Sequence, residues 1–161
     1  MRRVLRLIGL AIVALVVVGV AVAVAARFHD GPLGPFPGGA LVAGEPVTAP
    51  VTDWSTVAKI TTLELEVSPE HPRTVTTWFL IVDGILYVPS GGAAKKTWPA
   101  LVESDGRVRV RLDGKLYALQ ATRVSDSVLA KKLSAAVSEK YGFGDGQPVE
   151  GAWAFALEPR R

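Results

Sequence analysis

Residues Arg73 to Trp98, RTVTTWFLIVDGILYVPSGGAAKKTW, leave the backbone few choices. The first half alternates, with Val75, Thr77, Phe79 and Ile81 on one face and Thr74, Thr76, Trp78 and Leu80 on the other. Asp83-Gly84 follows, a dipeptide suited to the two positive-φ positions of a type I′ turn. A second β-rich run, Ile85-Leu86-Tyr87-Val88, ends at Pro89. Two such runs across a two-residue turn predict a β-hairpin. Beyond it lie Ser90, two glycines, two alanines, Lys95, Lys96 and Trp98. A hydroxyl, free glycine amides and two ammonium groups just past a strand end can neutralise a phosphate through charge-assisted hydrogen bonds. A mobile surface loop with solvated lysines accounts for the same residues. Trp98 reads as the anchor that pins this loop to the domain, or else as a stacking platform.

Further strands flank the hairpin. Lys59 to Val67 sets Leu63, Leu65 and Val67 against Thr62, Glu64 and Glu66, the pattern of a half-buried strand. Thr97 to Glu103 has room for a helical turn or so, and Asp105-Gly106 reads as a turn. Arg107 to Leu112 carries Val108, Val110 and Leu112 on one face and three arginines on the other. Asp113-Gly114 closes a second hairpin into Lys115 to Val124. A helix is predicted from Asp126 to Tyr141, capped by Ser125 or Asp126 and stopped by Gly142. Leu129, Leu133, Val137 and Tyr141 repeat along it every four residues, and Lys131, Lys132 and Lys140 read as its solvated face. Trp153, Phe155 and Leu157 alternate with alanines in a last strand. Six strands in hairpins with one late helix predict a mainly β domain, a small antiparallel barrel with the helix packed on it.

Ahead of this domain, Leu7 to Ala26 runs without a charge. A helix of about 20 residues rises roughly 30 Å, the thickness of a bilayer's hydrocarbon. Residues 1–27 are therefore read as a single transmembrane anchor, with a signal peptide as the alternative because Ala23-Val24-Ala25 has small-x-small form. Arg2, Arg3 and Arg6 precede the run and Arg27 closely follows it. That bias predicts a cell-membrane protein with a cytoplasmic N-terminus and an extracytoplasmic domain. Residues 28–53 are dense in proline and glycine and read as a linker, with Phe36, Leu41 and Val42 apolar enough to dock part of it. The barrel domain takes residues 54–161. From Trp54 onward Lys and Arg number 14 against 12 Asp and Glu, a balance that argues for no nucleic-acid partner.

Cysteine is absent, which excludes disulfides, cysteine-ligated zinc and thiol catalysis. His29 and His71 stand apart, so no metal cluster is expected. Ser90 lacks a nucleophile elbow, and the loop after it lacks the order of a nucleotide-hydrolase phosphate loop.

The succession of Arg73-Thr-Val-Thr-Thr-Trp78-Phe79, Asp83-Gly84-x-Leu86-Tyr87, Ser90, Lys95-Lys96 and Arg107-Val108-Arg109-Val110 resembles the FMN-binding split-barrel superfamily. That superfamily includes pyridoxamine-phosphate-oxidase-like and deazaflavin-dependent reductase-like proteins. The resemblance covers roughly Trp54 to Pro159. The leader, the Gly-Pro-Phe-Pro-Gly-Gly segment and Asp53-Trp54 further resemble a bacterial group of membrane-anchored proteins with this barrel. It implies a split β-barrel that binds FMN or a deazaflavin at a homodimer interface and acts as an oxidoreductase. It also implies that Thr74, Val75 and Thr76 lie beside the flavin ring, with Ser90, Lys95 and Lys96 at the phosphate. No catalytic side chain is implied, since the cofactor would carry the hydride chemistry. A noncatalytic extracytoplasmic module on the same barrel, binding a ligand or a partner protein, is the second reading.

Overall fold

The structure is a computed structural model and describes residues 2–160. Three helices, α1 (Arg2–Ala26), α2 (Thr97–Ser104) and α3 (Ser127–Tyr141), accompany eight strands. The strands are β1 (Glu45–Val47), β2 (Thr62–Val67), β3 (Arg73–Trp78), β4 (Leu80–Val82), β5 (Ile85–Ser90), β6 (Arg107–Leu112), β7 (Lys115–Arg123) and β8 (Trp153–Pro159). They form one sheet in the order β3-β2-β6-β7-β8-β5-β4, antiparallel throughout, with β1 added in parallel to the first residues of β7. This is the expected mainly β, curled half-barrel.

The turn chemistry holds at both Asp-Gly hairpins. Asp83 and Gly84 have φ of 52° and 77°, and Asp113 and Gly114 have 53° and 72°. Both central residues are thus left-handed, as a type I′ turn requires. The inward side chains of β2, β6, β7 and β8, among them Leu65, Val110, Leu119 and Phe155, make one core. Trp98 and Val102 of α2 plug that core, so Trp98 is an anchor. The helix α2 is two turns long where the sequence promised about one. The alanines of β8 have a use as well: Ala154 and Ala156 face α3, whose Leu129, Leu133 and Val137 pack over β4 and β5. Asp126 caps α3 by accepting from the Leu129 amide at 2.7 Å, and Gly142 ends it in the left-handed conformation.

The run from Arg73 to Val82 is not one strand. It breaks at Phe79, so that β3 pairs with β2 while β4 pairs with β5. These are the two outer strands of the sheet, and a single residue joins them. Flat, seven strands would put the edges roughly 29 Å apart, so the sheet must curl until they meet. Phe79 is fully buried at this seam. The Tyr141 hydroxyl accepts from the Phe79 amide at 3.1 Å and lies 2.6 Å and 2.8 Å from the carbonyls of Phe79 and Thr61, either of which its single proton can serve. Lys140 donates to the Phe79 carbonyl at 3.2 Å, with its ammonium 3.9 Å from the Phe79 ring centre. Lys140 is therefore a seam residue and not part of the solvated face, and desolvation lowers its pKa.

A strap of residues 30–47 crosses the outer face of β3, β2 and β6. It meets the outer edge of β3 where Gly38 bridges Thr74, with amide-to-carbonyl bonds of 2.8 Å and 3.1 Å. Over β2 and β6 it is held by charge. Arg111 binds Glu64 at 2.8 Å through Nε and Asp30 at 2.8 Å through a terminal nitrogen. Asp30 in turn accepts from the amides of Val42 and Ala43 at 2.8 Å and 2.9 Å. Glu66 is buried beneath the strap, accepts from the Leu41 amide at 2.5 Å and faces Arg109 at 3.7 Å. Leu41 is buried, Phe36 half-buried and Val42 exposed. The arginine face of β6 is thus a clamp rather than a solvated surface. At its far end the strap becomes β1 on the edge of β7.

Two expectations follow. Tyr141→Phe leaves the buried Phe79 amide without its acceptor, a change of about 1–3 kcal/mol, to be read as a lower urea midpoint at unchanged slope. For Asp30, burial opposes ionisation, but the Val42 and Ala43 amides and the Arg111 guanidinium outweigh it and hold the carboxyl below its ordinary range. A carboxylate depressed in the folded state stabilises above roughly pH 4 and loses that contribution as pH falls through its lowered value. Asp30→Asn should therefore release the strap at neutral pH, read as about a tenfold loss of hydrogen-exchange protection at the Val42 and Ala43 amides.

Candidate functional site

The six residues singled out by resemblance fall into two groups. Thr74, Val75 and Thr76 lie on β3, and Ser90, Lys95 and Lys96 lie on β5 and the turn after it. Thr74 is fully buried. Its amide and carbonyl both go to Gly38, and its hydroxyl donates to the Gly39 carbonyl. No polar group of Thr74 is left to give to a ligand. Val75 points inward against the core. Thr76 is exposed.

Alternation along an antiparallel strand decides which backbone groups of β3 remain open. Thr74 bonds outward to the strap, so Thr76 and Trp78, two and four residues on, direct their amides and carbonyls along the same outer edge. The strap does not reach them. Their side chains share the outer face with Glu64, Arg111 and Thr62, and the uncovered part of that face is an open cleft of about 340 Å³. Thr62, Glu64, Thr76, Arg111, Asp113 and Gly114 line it. Its Glu64–Arg111 pair also clamps the strap, so the wall of the cleft and the position of the strap are linked.

Beside the cleft stands an aromatic corner. Trp78 is 40% exposed and stacks on Tyr141 with ring centres 4.6 Å apart and planes 8° from parallel. Phe143 is 59% exposed and meets Trp78 edge-on at 5.8 Å. Burial raises the Tyr141 pKa against the opposing effect of the Phe79 amide, which keeps the phenol neutral over the ordinary pH range. No local pattern announces this corner, because Trp78 and Phe143 come together only through the seam.

At the other group, Ser90 is fully buried and pairs with Trp153 of β8. Its hydroxyl is the one buried side-chain polar atom without a hydrogen-bond partner among the described residues. Gly92 turns the chain with φ of 60°, and the Ala93 amide bonds the Gly151 carbonyl at 3.1 Å. Lys95 and Lys96 are exposed just beyond, Lys96 at the start of α2. The Trp153 ring carries the Arg123 guanidinium at 3.7 Å, a cation–π contact that the sequence pattern did not reveal. Arg123 also pairs with Glu103 of α2 at 3.3 Å and so helps hold the plug in the barrel.

No family model matches the sequence, and no curated protein does. Solved structures do. A conserved hypothetical protein from Mycobacterium tuberculosis is 18% identical with a TM-score of 0.55, over 73% of this chain and 86% of its own. A candidate pyridoxamine 5′-phosphate oxidase from Listeria innocua is 17% identical with a TM-score of 0.53, over 65% of this chain and 88% of its own. The heme-storage protein HutZ from Vibrio cholerae is 18% identical with a TM-score of 0.52, over 63% and 82%. At such identities a likeness establishes architecture alone. That architecture is the split β-barrel that the order of motifs in the sequence led us to expect.

Proposed function

We propose that this chain is a membrane-tethered split barrel that works as a noncatalytic binding module, with its contact surface at the far end of β3. The observation that carries this reading is the state of Thr74. The strand edge that, by resemblance, would serve a flavin ring is closed at Thr74 by the chain's own strap. The same edge stays open at Thr76 and Trp78, beside the cleft and the exposed Trp78 and Phe143. Open backbone groups next to exposed aromatics suit an extended segment of a partner protein. The helix α1 is long and apolar enough to cross a membrane, and its N-terminal arginines favour placing the barrel outside the cytoplasm.

A second reading has its own support. The unpartnered Ser90 hydroxyl precedes Lys95 and Lys96 in the loop that resembles a flavin phosphate site, and the fold is one that flavin proteins use. For that reading the residues fit at the phosphate and fit poorly at Thr74, so no reaction is assigned through a flavin. One titration separates the two. FMN fluorescence should be unchanged when the purified chain is added in detergent. Quenching that disappears in the Lys95→Ala, Lys96→Ala double variant would instead establish the flavin site and overturn the module.

A further inference from the structure

We infer that the barrel does not hang free of the membrane but lies on it, with the β2–β3 turn and the first residues after α1 seated in the lipid headgroup layer. This rests on reading α1 as an anchor. The motivating observation is a stripe on the last two turns of α1. Gly19, Val22 and Ala23 are partly buried and Ala26 is fully buried, while Val20, Ala21, Val24 and Ala25 are exposed. The spacing i, i+3, i+4, i+7 is a single helix face. Its C-terminal end is met by the barrel. Arg27 donates to the Pro72 carbonyl at 3.4 Å, and Gly39 lies so close that an added Cβ would stand 2.4 Å from the Arg27 carbonyl oxygen.

Length then fixes depth. The apolar helix runs from Arg3 to Ala26, 24 residues, or about 36 Å against a hydrocarbon thickness of about 30 Å. The segment Arg3 to Val18, which precedes the stripe, rises only about 24 Å. It falls short of the hydrocarbon by about 6 Å, and any tilt of the helix widens the shortfall. The residues from Gly19 onward must supply the rest, so the surface that meets the end of the helix, at Pro72 and Gly39 against Arg27, sits at headgroup depth. The side chains there suit that layer. Phe28 is 87% exposed immediately after the helix, where an aromatic is favoured at a membrane surface. Arg27 and Arg73 bring cations, and Glu70 of the turn is paired with Arg107 at 3.5 Å. His71 is exposed at the tip of the turn.

The register of β2 with β6 pairs Glu66 with Arg109 and Glu64 with Arg111, so the β6–β7 hairpin is at the opposite end from the β2–β3 turn. The cleft, which Asp113 and Gly114 help to line, is then directed away from the bilayer. The absence of cysteine allows single spin labels without background. The full chain would carry Leu15→Cys, Phe28→Cys, His71→Cys or Lys115→Cys in vesicles of phosphatidylethanolamine and phosphatidylglycerol, and collisions with oxygen and with a water-soluble nickel complex would be measured. Leu15 should favour oxygen, and Phe28 and His71 should meet nickel several-fold less often than Lys115. Leu15 in lipid with Phe28 and His71 as open to nickel as Lys115 would overturn the seated barrel and leave the anchor standing. Leu15 open to nickel would overturn both.

Discussion

The passage of the chain through Phe79 governs the molecule. One residue separates the two edge strands of a seven-strand path, so curling is a covalent requirement and not merely a result of sheet twist. A buried seam of this kind exposes backbone groups that no ladder can satisfy, and such groups are costly in a dry interior. Tyr141 and Lys140 meet that need from the end of α3. Helix and seam are therefore one unit: the last residues of the helix close the barrel by serving the backbone groups of Phe79.

The outer surface of the curled sheet is covered by two unlike devices. Over β4, β5 and β8 the cover is α3, held by apolar packing against small residues. Over β3, β2 and β6 it is the strap, held by alternating charges that run from Asp30 through Arg111 to Glu64. The difference has a physical basis. The outer face of β2 and β6 is written in Glu and Arg, and such a face accepts a cover only if the cover brings hydrogen bonds for its charges. The backbone carbonyls and amides of a proline-rich, irregular segment are suited to that, because they are not committed to a helix. Glu66, buried yet bonded to the Leu41 amide, shows the arrangement most clearly.

That same strap joins fold to function. It links a helix able to cross a membrane with the outer edge of β3, and it occupies that edge at Thr74 while leaving Thr76 and Trp78 open. Cleft and strap are consequently connected through one residue, Arg111. It lines the cleft and holds Asp30 at the start of the strap.

Local structure is legible in the residues themselves. Asp-Gly dipeptides require left-handed turns wherever they join strands, alternation assigns faces, and Asp126 and Gly142 delimit α3, since each depends on neighbours within a few residues. The sequence also carried the order of motifs from which the split barrel was read. Where the edges meet, and what covers them, is set by closure of the whole sheet. The alternation from Arg73 to Ile81 is the same whether that run makes one strand or two, and only closure of the sheet divides it at Phe79. The charge ladder could not be read because Asp30 and Arg111 are 81 residues apart. The state of Thr74 depends in the same way on a glycine in a segment whose composition suggested a spacer. Contacts between distant parts of a chain are set by the summed packing of the intervening elements, and no local pattern records that sum.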